Sequence, residues 1–322
     1  MDGLHDLTEP AGTLFQSMLD APVQRTLRSA IHCVGTGLHS GRRVHAALCP
    51  APAGSGVVFR RTDLGIDIPA RFDCVADTRL CTVIVSAEQP EARVGTVEHL
   101  MAALSACGVD NLLVELDGPE MPVLDGSSAP WLFLLDCAGF ATLGAAASVI
   151  QVLRAVRVSD GEAFAELRPG AGPGLDLAVS IDFNAAAIGR QALTMSLDEY
   201  RFRTGLADAR TFVQAQEIAG LRAAGLAMGG TLENAVVVDG ARVLNPAGLR
   251  RPDEFVRHKM LDAVGDLALA GARLQGRFTG HRSGHALNNR VLRALFADTA
   301  NWRDVQPDPQ ADWTRMPVAA AA

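Results

Sequence analysis

The chain has 322 residues, with 29 Lys and Arg against 36 Asp and Glu, giving a formal net charge of −7. Its basic residues are scattered rather than massed on one segment, so the polyelectrolyte face that nucleic acid binding requires is not expected. The start carries Asp2, Asp6 and Glu9 instead of a basic, apolar leader, and Trp131 to Ile150 is broken by Asp136, Gly139 and Gly144. A cytoplasmic protein without a secretory signal or transmembrane segment is therefore the expectation.

A chain of this length suits two domains of roughly 125 and 175 residues, large enough to bury their own cores. All six cysteines (33, 49, 74, 81, 107 and 137) lie in the first half and none forms a Cys-x-x-Cys pair, so they read as reduced thiols. Residues 1 to about 23 mix Pro, Gly and acids around Leu14, Phe15, Met18 and Leu19, a brief amphipathic helix or a loose segment. Strand patterns follow at 44–49 and 56–60.

The spacing then predicts a helix with Thr96 as N-cap, an apolar stripe of Val97, Leu100, Met101, Leu104 and Cys107, and a stop at Gly108. A strand at 111–116 comes next, and 131–150 reads as a short helix, a turn and the approach to a strand. Further strands are expected at 150–153, 155–158 and 235–238, and a second helix at about 253–270. Each half thus combines strands with helices, an α+β pattern.

The chemistry-bearing residues gather on the two helices. His258 and Asp262 are four residues apart and share one helix face, which is metal-ligand spacing. Glu98-His99 sets a carboxylate beside an imidazole at the start of the other helix. His99, His258 and Asp262 would give a catalytic metal three protein ligands and leave a position open, with Glu98 as general base for water. The same spacings also suit a helix-capping histidine, a simple His–Asp pair and a first-turn acid favoured by the helix dipole. Asp266 extends the polar stripe by another four residues and could charge and orient a distant histidine, for which His285, just after Gly284 in an expected loop or strand end, is the candidate. A solvated helix face and an exposed turn histidine are the competing readings. Cys81 is a further candidate neighbour of the metal.

Thr96–Leu100 (TVEHL), Asp125–Pro130 (DGSSAP), Ala209–Phe212 (ARTF) and Phe255–Asp262 (FVRHKMLD) closely resemble the UDP-3-O-acyl-N-acetylglucosamine deacetylases, zinc amidases of lipid A biosynthesis. Gly35–Gly41 (GTGLHSG) and Ser283–Asn289 (SGHALNN) match in the same order, so the resemblance runs from about residue 26 to about 305. It implies two similar sheet-plus-helix domains packed face to face, each with a small insert and with the active site between them. By position these are 24–148 and 149–305, the second with its insert at about 213–240, flanked by an extension at 1–23 and a tail at 306–322. It further implies Zn²⁺ on His99, His258 and Asp262, Glu98 as base, and His285 as catalytic histidine with Asp266 as its partner. Thr211 and Lys259 would stabilise the oxyanion. Phe212 would line the substrate site, and Leu226 and Met228 in the insert would face the acyl chain. UDP-3-O-acyl-N-acetylglucosamine is the expected partner and a monomer the expected state. Two other readings share the metal set: an amidase for another substrate, and a binding protein with structural zinc. Two His and one Asp would also hold Fe²⁺.

Overall fold

In a computed structural model, the structure describes residues 22–305, so the amphipathic stretch around Leu14 to Leu19 and the tail from 306 lie outside it. The first half is organised around a five-stranded sheet in the order Ile31–Thr36, Arg43–Pro50, Leu112–Leu116, Val57–Arg61, Ile66–Pro69. Helices α1 (Glu98–Ala106) and α2 (Ala129–Ala138) accompany it. Three short strands, Val75–Asp77, Val83–Val85 and Arg93–Val94, form a separate small sheet.

The second half repeats the scheme with a seven-stranded sheet centred on Arg273–His281. That strand runs parallel to Val149–Val152 and Leu175–Asp182 and antiparallel to Ala163–Arg168. Helices α3 (Glu199–Gly205), α5 (Glu254–Ala268) and α6 (His285–Phe296) belong to this half. Between α3 and α5 the chain builds a small unit: strand Phe212–Gln214, helix α4 (Ala215–Ala223) and strand Val236–Asp239, the two strands being parallel. The architecture is α+β, as the sequence pattern predicts. Among the described residues no helix is long and apolar enough to cross a membrane, and all six cysteines are free.

The central contact pairs α1 with α5. Leu100 and Leu104 of α1 and Met260, Leu261, Val264 and Leu267 of α5 are essentially inaccessible, which places the strongest apolar burial directly behind the polar stripe. Gly265 makes the closest approach possible. A Cβ there would overlap the Glu98 carbonyl, so only glycine lets α5 touch the first turn of α1.

Three sequence expectations change. Thr96 does not cap α1, because its backbone lies in the left-handed region at φ 57°, while Val97 occupies the N-cap. A β-branched residue is costly there, and the Thr96 hydroxyl donates to the buried Glu120 carboxylate at 3.0 Å. His285 is neither loop nor strand end but opens α6. The cause is the apolar stripe Leu287, Val291, Leu292 and Leu295, all buried, with Gly284 extended as N-cap. After α2, Gly139 turns at φ 68° into a full strand, Phe140–Ala146, paired with Val23–Leu27.

Candidate active site

His99, His258 and Asp262 converge from α1 and α5, with one potential ligand atom from each lying within 4.8 Å of the others. All three are buried, at 3%, 1% and 3% exposure, which rules out the solvated-face reading of the α5 stripe. The His258 imidazole is aimed by its own Nδ1, 3.0 Å from the Ala209 carbonyl. That carbonyl is fixed by its neighbour Arg210, whose guanidinium and amide both bind the fully buried Glu254 carboxylate. His258 Nε2 is thereby left facing Asp262 Oδ1 at 3.2 Å, and His99 Nε2 faces the same oxygen at 3.7 Å. The Ser128 hydroxyl donates to the His99 carbonyl at 2.7 Å and steadies that turn of α1.

The carboxylate of Asp262 is divided in purpose. Its Oδ2 accepts from Lys259 Nζ at 2.9 Å, whereas Oδ1 is buried without a hydrogen-bond partner among the described residues. An orphaned anionic oxygen beside two imidazole nitrogens fits a divalent cation. Burial would raise the Asp262 pKa, but His258 and Lys259 outweigh it and hold the carboxyl well below its usual range. Burial drives His258 down to about 3, so the ring is a neutral ligand at ordinary pH. The Cys81 thiol lies outside this trio, and burial holds its pKa up.

Beside the trio stands a second cluster. Glu98 Oε1 lies 3.7 Å from His285 Nε2, and His285 Nδ1 is 2.8 Å from Asp266 Oδ2. Burial pushes the Glu98 pKa up, against the pull of His285 and His99. Burial also lowers His285, but the carboxylates of Asp266 and Glu98 reverse this and raise it to about 9. A base that is easier to protonate than an ordinary Glu therefore faces an imidazolium that stays charged near neutrality.

Three polar residues that the sequence reading gave no role complete the frame. Thr82 donates from its hydroxyl to Asp266 Oδ1 and from its amide to Glu98 Oε2. Asn288 Nδ2 donates to Asp266 Oδ2. Glu120 takes the backbone amides of His39 and Ser40 at 2.8 Å each, setting the 37–41 turn against the cleft. No periodicity marks Thr82 or Glu120, which sit among short strands and prolines. Asn288 could have been found once α6 was recognised, since it lies three residues after His285 on the same face.

An apolar cavity of about 390 Å³ adjoins the site. It is walled by Thr211, Phe212, Ile218 and Leu221 of the 211–240 unit and by Leu38 and Leu80 of the first half. Phe212 stacks edge-on against Phe255 and lies 6.2 Å from the His258 ring. Lys259 Nζ sits 5.5 Å from the Phe212 ring centre. His39, Leu80 and Leu221 also wall a second cavity of about 540 Å³, to which Leu226 contributes. Met228 lines neither cavity and packs over Gly41 with 55% of its surface exposed. The structure thus gathers the three metal candidates, Glu98, Asp266, His285 and Lys259 in one cluster. Thr211, Phe212 and Leu226 lie on the neighbouring apolar walls, and Met228 stands apart.

Comparisons with known proteins identify the family of the chain. Residues 24–297 match the family model LpxC, described as UDP-3-O-acyl N-acetylglycosamine deacetylase. Curated UDP-3-O-acyl-N-acetylglucosamine deacetylases are similar along nearly their whole length. The one from Idiomarina loihiensis is 46% identical over 289 residues, covering 89% of this chain and 94% of its own. That from Shewanella loihica is 45% identical over 302 residues (92% and 96%), and that from Shewanella frigidimarina 44% over 291 (90% and 94%). The buried His–His–Asp trio with its adjoining Glu–His–Asp cluster is therefore seated in a chain that belongs to the UDP-3-O-acyl-N-acetylglucosamine deacetylase family.

Proposed function

We propose that His99, His258 and Asp262 hold a zinc ion, that Glu98 is the general base, and that His285 protonates the departing amine. As a family member the chain is a deacetylase, a hydrolase of lipid A biosynthesis that removes the N-acetyl group of UDP-3-O-acyl-N-acetylglucosamine. Zinc in that trio would polarise the acetamide carbonyl and lower the pKa of water toward about 7. Glu98, with one oxygen held by the Thr82 amide, takes the proton from the attacking water on its other oxygen. Thr211 and Lys259 stabilise the oxyanion that develops as water adds to the carbonyl carbon, a contribution of about 3 kcal/mol per donor in comparable sites. His285, kept protonated by Asp266, delivers its proton to the nitrogen as the C–N bond breaks, and acetate and the free amine leave.

Phe212 and Leu226 face the acyl chain, which enters the apolar space under α4. Met228 is the weakest of the expected substrate contacts because it is exposed over Gly41. In this reading the domains span 24–148 and 149–305, with 213–240 as the second domain's insert. The protein works as a cytoplasmic monomer without a nucleic-acid partner.

The observation that carries the proposal is the orphaned Asp262 Oδ1 facing two imidazoles beside a Glu98–His285 pair 3.7 Å apart. Release of free amine from UDP-3-O-acyl-N-acetylglucosamine should vanish on chelation and return with one equivalent of Zn²⁺. Return with Fe²⁺ alone would reassign the metal. Substrate binding without amine release by the zinc-loaded protein would refute the roles of Glu98 and His285.

A further inference from the structure

Thr82 lies just ahead of the strand Val83–Val85, 1% exposed, and touches both halves of the catalytic cluster. Its carbonyl accepts from the Val97 amide at 3.5 Å, so it sits against the first turn of α1. Its amide donates to Glu98 Oε2 at 3.2 Å and leaves Oε1 as the oxygen turned toward His285. Its hydroxyl donates to Asp266 Oδ1 at 2.5 Å. The other Asp266 oxygen is already shared by His285 Nδ1 at 2.8 Å and Asn288 Nδ2 at 2.9 Å.

We infer that Thr82 is a positioning residue for the deacetylation, a strut from the first half that fixes Asp266, and through it the His285 ring, relative to Glu98. This rests on the reading of Glu98 and His285 as base and acid. A carboxylate held at Oδ2 alone can swing about its Cβ–Cγ bond and carry the imidazole with it. A charge-assisted hydrogen bond on Oδ1 removes that freedom. Asp266, His285 and Asn288 all belong to the second half, and Thr82 is the residue that hydrogen-bonds both Asp266 and Glu98, adding a directional tie to the 3.7 Å approach of Glu98 Oε1 and His285 Nε2. The Thr82 hydroxyl, which has a single proton to give, uses it on the one Asp266 oxygen that the other two donors leave free.

Thr82→Val keeps the shape and removes the donor. It should lower kcat by about 10- to 100-fold, the usual cost of losing a partner one contact removed from the chemistry, with KM nearly unchanged. Thr82→Ser restores the hydroxyl and should recover most of kcat. Zinc content should stay at one equivalent in both variants, which separates mispositioning from a collapsed site. In a His285→Ala background the further loss from Thr82→Val should nearly disappear, because the hydroxyl acts through that ring.

Full kcat in Thr82→Val, or equal damage in Thr82→Ser, would overturn the inference, the second by showing that the hydroxyl alone does not sustain the rate and that the site is intolerant of any change in side-chain packing. If Thr82→Val does not accumulate as folded protein, Thr82→Ala provides the hydroxyl-free arm of the same comparison. Glu98→Ala and His285→Ala run alongside. If they keep full activity, the acid–base reading itself fails and takes this inference with it. If they lose activity while Thr82→Val does not, the strut alone fails.

Discussion

Glu98, His99, His258, Asp262, Asp266 and His285 are each at most 7% exposed and tied to one another by short polar contacts. The walls of the adjoining cavities are different: Leu80 and Leu232 are 41% and 43% exposed, and Leu221 is half-buried on a helix with no buried residue. One region is held by directional bonds in a water-poor setting, where a misplaced atom costs rate. The other is shaped by loose apolar contact, where a changed side chain alters what fits. Substitutions in the first should therefore break catalysis, and substitutions in the second should retune selectivity.

Glu98→Gln should have the largest effect. Removing a general base typically costs about 10²- to 10⁴-fold, and kcat should fall by that order. The burial that raises the Glu98 pKa disfavours its charged form, so the neutral amide should unfold at no lower temperature than the parent. A drop in melting temperature parallel to the loss of rate would make the cluster a stability element and break the contrast.

Asp266→Asn should cost about 10- to 100-fold in kcat and also move the pH profile. His285 is protonated below about 9, so the parent rate should fall as pH rises through that value. With the anion gone, burial is opposed less and the basic limb should shift to lower pH. The sign for stability follows the same linkage. A histidine raised from 6.5 to about 9 on folding contributes stability that is fully present below 6.5 and lost as pH climbs through 9. Thermal melts of parent and Asp266→Asn should therefore differ most below pH 6.5 and converge above 9. An unchanged basic limb would remove His285 from the profile.

Gly265→Ala tests the frame behind the cluster. The added methyl meets the Glu98 carbonyl, so α1 and α5 must separate at a cost of about 1 to 3 kcal/mol, readable by chemical denaturation. Because the displaced residue is Glu98 itself, kcat should fall as well. A fully stable, fully active variant would show that the two helices slide freely.

Helices α1, α2 and α5, the strands near residues 44, 57, 112, 150, 156 and 236, and the His–His–Asp set were legible because they follow from periodicity, from the four-residue spacing of His258, Asp262 and Asp266, and from motifs in fixed order. What escaped depends on contacts far apart in sequence. Thr82 and Asp266 are separated by 184 positions, and nothing near Thr82 announces its partner. The α6 start was hidden because Ser283-Gly284 reads as a turn, while the stripe that makes the helix begins only at Leu287. Thr96 has the composition of a cap, but its left-handed backbone is dictated by Glu120 and the neighbouring Gly95 bridge, which no local rule contains. The exposure of Met228 was equally hidden, since an apolar residue in an insert looks the same whether it faces a cavity or caps a glycine.

The smallest effect should come from the soft side. Leu221 borders both apolar cavities and lies on α4, away from every bond of the catalytic cluster. Leu221→Trp fills volume where the acyl chain is proposed to run, so it should penalise long chains and spare short ones. Each methylene denied burial is worth about 0.8 kcal/mol, roughly fourfold in kcat/KM. The ratio of kcat/KM between a long- and a short-acyl substrate should therefore fall several-fold, with kcat on the short substrate unchanged. Loss of rate on both substrates alike would mean that α4 supports the cluster mechanically, and the division between a rigid site and an adaptable wall would no longer hold. An unchanged ratio would instead place the acyl chain away from α4 while leaving the cluster's chemistry intact.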